Sequence, residues 1–149
     1  VSILHFEDFT VGRVFPCGPY TVSKDEIFEF AREFDPQPHH LDEEAASKSM
    51  LKGLSASGWH VCAIAMRMIA DDILNKAASR GGVGTHDVRW IKPVRPGDTL
   101  RLEVEVSETS EPRSKPEFGF VTIQIRMFNA HEQVAQLSMI PIIAKRGSA

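Results

Sequence analysis

Asp35 and His40 stand five positions apart in the segment Phe34-Asp35-Pro36-Gln37-Pro38-His39-His40-Leu41-Asp42. A carboxylate and an imidazole that hold one water between them form a general acid–base pair. The two prolines stiffen the segment, so its side chains are held in fixed relation at low entropy cost. Positions five apart do not share one face of a regular helix, yet the pair can converge across a tight proline-containing bend. A plainer reading stands beside this one. Asp before Pro is a common turn former, and a histidine beside a helix start is often surface decoration.

Elements on both sides must position these groups. Ser23-Lys24-Asp25-Glu26 forms a capping box, and Ile27, Phe30, Ala31 and Phe34 follow at helical spacing. Pro36 and Pro38 end that helix, because a proline disfavours α geometry in the residue before it. Asp42 reads as the N-cap of a short helix over Glu43–Lys48, and Gly53–Ser57 as a loop of small residues. The longest helical candidate runs from about Ser57 to Leu74. Val61, Ile64, Ala65, Met68, Ile69 and Ile73 give it a wide apolar surface, which implies burial on most sides.

Ahead of these helices, Val11–Val22 reads as an irregular strand containing Pro16 and Pro19. Beyond them, Ala77–Gly84 reads as a turn-rich connection, and alternation then takes over. Leu100, Leu102, Val104 and Val106 alternate with polar residues, as do Val121, Ile123, Ile125 and Met127. Thr85–Ile91 and Gln133–Ala144 read as further strands. The predicted fold is α+β: an antiparallel sheet of four or more strands covering one buried helix.

Composition sets bounds. The 149 residues carry a formal charge of −3, with 42% apolar and 25% charged residues. This is the balance of a globular protein and suits one domain over residues 1–149. It provides no overall attraction for nucleic acid or an anionic membrane. The apolar run Val61–Ala70 is interrupted by Arg67 and is far shorter than the roughly 20 residues of a membrane helix. Val1–Thr10 carries acids and lacks the layout of a signal peptide, so a cytoplasmic setting is expected. Cys17 and Cys62 permit a disulfide without implying one.

Three short elements together resemble a known family. Asp35-x-x-Pro38-x-His40, followed by Leu41-Asp42, resembles the hydratase motif of MaoC-like proteins, which include (R)-specific enoyl-CoA hydratases. Ala56-Ser57-Gly58 resembles the family's second element. The third is resembled by the stretch Val88–Leu100, with Pro93-Val94-Arg95-Pro96-Gly97-Asp98. Each is modest alone, but the ordered set is specific.

The resemblance implies a single hotdog fold, a curved antiparallel sheet wrapped around one long helix. It implies that Asp35 and His40 activate a water for addition to a trans-2-enoyl thioester. The Gly58 N–H would receive the thioester oxygen, with Ser57 orienting Asp35 or supporting the loop. Pro38, His39 and Trp59 would contact substrate. The substrate would be an acyl-CoA or acyl-carrier-protein thioester, and no cofactor is called for. The family pairs such units edge to edge, so a homodimer or a dimer of dimers is expected. Gln37 stands where the family usually has Asn, and His39 where a bulky apolar residue is usual. His39 is read either as a partner for a functionalised acyl group or as a half-exposed surface histidine.

Arg89, Lys92, Arg95 and Arg101 cluster in sequence, with Arg113 and Lys115 as a second group; either group could meet the substrate's phosphates, and Arg89, Lys92 and Arg95 are assigned to substrate binding. Each also fits a solvated strand face. His60 reads as a core or interface histidine, Cys62 and Trp90 as packing residues. No pair among Asp35, His39, His40 and His60 has the spacing of a strong zinc signature, so no metal is assigned. Two other functions fit the same fold: an acyl-CoA thioesterase, and a non-catalytic acyl-thioester binding module. The helix body has no acid before Asp71 and Asp72, which disfavours the thioesterase.

Overall fold

The structure, a computed structural model, describes residues 2–114 and 117–148. The first strand, β1 (Val14–Thr21), is irregular as its prolines require, with a register shift between Cys17 and Tyr20. Helix α1 (Lys24–Phe34) starts on the anticipated capping box. Ser23 Oγ accepts the Glu26 N–H at 3.1 Å, and the Glu26 carboxylate accepts the Ser23 N–H at 3.3 Å. Two short helices follow, α2 (Pro38–Leu41) and α3 (Glu43–Ser47). Asp42 caps α3, accepting the N–H groups of Glu44 and Ala45. The single turn of α2 differs from the bend expected between Asp35 and Asp42. Pro38 at its first position loses nothing by lacking an N–H there.

The long helix is α4 (Gly58–Asp72), with Val61, Ile64, Ala65, Met68 and Ile69 buried. It lies against one face of a five-stranded antiparallel sheet ordered β1-β3-β4-β5-β2. The remaining strands are β2 (Ser79–Trp90), β3 (Thr99–Ser110), β4 (Phe118–Phe128) and β5 (Gln133–Ala144). All eight apolar positions read from alternation in β3 and β4 are buried. One contiguous core joins them to α4 and to Val22 and Ile27. This is the hotdog arrangement, an α+β fold. No described helix is long and apolar enough to cross a membrane.

One boundary needs correction. Ala77–Gly84, read as a turn-rich connection, is mostly strand, because β2 begins at Ser79. Gly81 and Gly82 pair with Ile142 and Pro141 of β5, with register shifts on either side. Glycine weakens the local strand signal, but the neighbouring strand supplies the pairing. Both cysteines are free. Burial pushes the Cys17 thiol up to about 11, with the Asp72 carboxylate adding to it.

A polar cluster pins α1 to α4. Glu26 Oε2 accepts the Tyr20 hydroxyl at 2.7 Å and lies 3.0 Å from His60 Nε2. Phe30 stacks on the His60 ring with centroids 4.7 Å apart. The hydrogen bond to Glu26, then burial, pushes the Tyr20 phenol up to about 12, so it remains a donor. His60 is buried, and its Nδ1 has no hydrogen-bond partner among the described residues.

Candidate active site

Three segments of the chain meet at the N-terminus of α4. Helix α1 stops with Asp35 as its C-cap. One turn of α2 then carries His40 inward until it is 6% exposed. From the other side, the loop before α4 is tied down by Ala56 N–H donating to Val94 O at 2.9 Å. Arg95 braces the same loop through the carbonyls of Leu51 and Leu54.

The Asp35 carboxylate is held from both sides. Ser57 Oγ donates to Oδ2 at 2.6 Å, and Gln37 Nε2 donates to Oδ1 at 2.6 Å. Burial pushes this carboxyl up. The hydrogen bonds from Ser57 and Gln37, with the nearby imidazoles of His40 and His39, outweigh burial and hold it below the usual Asp value. Asp35 is therefore ionised at neutral pH.

His40 Nδ1 lies 2.7 Å from the Ser55 carbonyl oxygen. A carbonyl only accepts, so Nδ1 carries the proton, and in the neutral ring Nε2 is the bare nitrogen. Nε2 is 3.5 Å from Asp35 Oδ2. The base and the carboxylate thus face each other with fixed roles. Ser57 is also the N-cap of α4, but its hydroxyl goes to Asp35 and makes no capping bond. The first-turn N–H groups of α4 lack intrahelical acceptors and sit at the positive end of the helix dipole.

Beside them is a cavity of about 380 Å³. Asp35, Gln37, His39 and His40 line one side; Gly58, Trp59 and Val61 of α4 line another. Trp90, Lys92 and Val94 close a third, with Val134 behind. A carboxylate, an oriented imidazole and open helix donors around one mainly apolar space suit acid–base chemistry beside a developing oxyanion.

A model of the MaoC-like domain matches residues 9–125. The chain belongs to the MaoC-like family. This MaoC-like protein is 35% identical to the uncharacterised Bacillus subtilis protein YdeM, over 96% of this chain and 100% of that one. A MaoC-like dehydratase from Rhodospirillum rubrum is 40% identical and superposes with a TM-score of 0.89, over 96% of this chain and 98% of that one. An (R)-hydratase from Pseudomonas aeruginosa is 25% identical with a TM-score of 0.73, over 96% and 86% of the two chains.

The MaoC-like chain brings Asp35, His40, Ser57 and Gly58 together, with His39 and Trp59 on the cavity wall. Pro38 is exposed and does not line the cavity; it starts α2. The four sequence-clustered cations part company, Arg101 pairing with Glu103 and lying over the Phe128 ring. Lys92 lines the cavity. Arg89 precedes Trp90 on β2, and adjacent strand residues point to opposite faces, so Arg89 points away from the cavity that Trp90 lines. Arg95 is engaged by the 51–54 loop. Arg113 is exposed between β3 and β4, and Lys115 lies outside the described residues. Among the described residues no three His, Cys, Asp or Glu side chains gather as a metal site.

Sequence reasoning missed two contributors. Gln37 was legible only as a departure from a pattern, whereas it holds Asp35 directly. Trp90, read as packing, lines the cavity. Its place at the end of a strand that borders the Pro93-Val94 element was the available signal. At Gly58, beyond its N–H, the missing Cβ matters, because the Trp90 ring lies 2.4 Å from where a Cβ would stand.

Proposed function

We propose that this site adds water reversibly to a trans-2-enoyl thioester, giving a (3R)-3-hydroxyacyl thioester. The observation that carries this reading is Asp35 Oδ2 facing His40 Nε2 at 3.5 Å, beside the uncapped start of α4. A water held between the two loses a proton to the pair as its oxygen bonds to C3. The C2–C3 π electrons move toward the thioester, and charge develops on its oxygen. The Gly58 N–H, at the positive end of α4, stabilises that charge. The pair returns a proton to C2 from the same face, so one water is added in net and the addition is syn. The reverse path dehydrates the hydroxyacyl thioester. Similarity to a MaoC-like dehydratase and to an (R)-hydratase supports the same chemistry.

The substrate carrier is coenzyme A or an acyl carrier protein, with Lys92 as the cation nearest the cavity. The working form is a homodimer in the cytoplasm, built from one hotdog unit per chain. Pro16 and Pro19 blunt the β1 edge, whereas β2 has no proline and exposes Val83, so β2 is the edge that pairs. A monomer by light scattering at micromolar concentration would sink that part.

The reaction is tested by mixing purified protein with crotonyl-CoA and longer trans-2-enoyl-CoAs. Loss of the enoyl absorbance with formation of the (3R)-hydroxyacyl product is expected. Free thiol release without hydration would point to a thioesterase, and calorimetric binding without turnover to a binding module; either result overturns the hydratase reading. Against the thioesterase, Asp71 and Asp72 lie at the far end of α4, paired with Arg67 and with the Gly18 N–H.

A further inference from the structure

Trp90 lines the cavity, and the proposed reaction assigns it no role. It ends β2, paired in register with Ala135 of β5, and its ring lies across the first turn of α4. A Cβ on Gly58 would stand 2.4, 2.6 and 2.7 Å from three of its ring carbons. Trp59 packs edge-on against the Trp90 ring, with centroids 5.6 Å apart and planes at 78°.

This ring is anchored on one side and open on the other. Anchorage to α4 fixes its plane, yet it remains 49% exposed and borders the cavity that holds Asp35 and His40. Gly58 and Trp90 both line that cavity, and the Gly58 N–H is where the thioester oxygen must come to rest.

We infer that Trp90 is the wall that orients the thioester at the Gly58 N–H, a substrate-positioning residue of this site. The inference rests on the hydratase reading. A conjugated enoyl thioester is flat, and a fixed indole offers it a flat, apolar surface. Lying against that surface, the carbonyl is steered to the helix donor while C3 faces the water held by Asp35 and His40. The ring also keeps bulk water from the oxyanion, where a donor is worth most in a dry site. Gly58 and Trp90 are then a matched pair, since any side chain at 58 would displace the wall.

Steady-state kinetics of Trp90→Phe and Trp90→Ala, with crotonyl-CoA as substrate, test this. Loss of the wall misplaces the reacting carbons, so Trp90→Ala lowers kcat roughly tenfold to a hundredfold with a smaller change in KM, and Trp90→Phe restores most of the rate. The chain has two tryptophans, so Trp59→Phe leaves Trp90 as the sole indole fluorophore. In that chain, further carrying Asp35→Asn to stop turnover, crotonyl-CoA should shift or quench the emission and free CoA should not. A folded Trp90→Ala protein with kcat and KM both near wild type overturns the proposal. So does an emission unmoved at crotonyl-CoA concentrations that saturate by calorimetry, which decides the matter even if Trp90→Ala does not fold. Wild-type protein that turns over no enoyl or hydroxyacyl thioester fails the hydratase reading instead. An emission response in that case keeps Trp90 at the acyl-binding wall.

Discussion

The two ends of α4 border two cavities, and only one of them holds titratable groups. Near its start lies the space of about 380 Å³ with Asp35, His39, His40 and Lys92. Near its end lies a space of about 250 Å³ lined by Met66, Ile69, Leu74, Met139, Ile140 and the glycines of early β2. Both lie where α4 meets the edge strand β2. Their difference follows from what else reaches each end. At the first, α1 and the loop before α4 deliver a carboxylate, an imidazole and a hydroxyl to a helix N-terminus. At the second, the chain runs into the glycine-rich start of β2, and the helix presents its negative end. The fold supplies the gaps; the segments that converge on one of them supply the chemistry.

The largest expected break in this contrast comes from the first cavity. Asp35→Asn and His40→Ala should each lower kcat by roughly a hundredfold to ten-thousandfold in the enoyl-CoA assay, the range of a lost acid–base group. Both proteins should remain folded by circular dichroism. Full activity in either variant removes that residue from the pair.

A smaller and sharper effect is expected at Ser57. Its hydroxyl is one of the two donors holding the Asp35 carboxyl low against burial. In Ser57→Ala that carboxyl rises, so the acidic limb of the kcat/KM–pH profile moves to higher pH. The lost charged hydrogen bond is worth about 1.5–3 kcal/mol. A folded-state pKa below the unfolded one contributes stability that is complete above the ordinary Asp value, near about 4. That contribution is lost as pH falls through the lowered value, so Ser57→Ala should also shrink the loss of stability on acidification. An unmoved acidic limb would show that the observed ionisation is not that of Asp35.

The smallest effect belongs to the second cavity. Ile69 is fully buried, and Ile69→Val should cost about 0.5–1.5 kcal/mol in chemical denaturation. Activity on crotonyl-CoA should be unchanged. A change in KM for longer enoyl-CoAs would instead mean that the two cavities communicate.

Much of the fold was legible because its signals are local and periodic. The alternation of β3 and β4, the α1 capping box and the wide apolar surface of α4 each follow from short stretches of chain. Early β2 was not legible, since three glycines mask a strand that exists only because β5 pairs with it. The Asp35 and His40 pair stood out through a proline-bounded motif. Gln37 did not, because its function is a contact made after the bend closes. The cations misled for the same reason. Arg89, Lys92 and Arg95 are neighbours in sequence, yet strand alternation and a loop brace send them to three different surroundings.

The amino-acid sequence alone determined most element types, the core positions of β3, β4 and α4, and the presence of an acid–base motif before a long apolar helix, because each is encoded within a turn or a strand repeat. Only the tertiary structure decided that Ser57 and Gln37 grip the same carboxylate, that Ser55 sets the His40 tautomer, and that Trp90 lies on Gly58. Two of these four contacts span 15 and 22 positions, and Trp90 lies 32 positions beyond Gly58. Their geometry exists only once α1, α4 and β2 have packed, since hydrogen-bond and ring contacts depend on ångström-scale distances that no local pattern specifies.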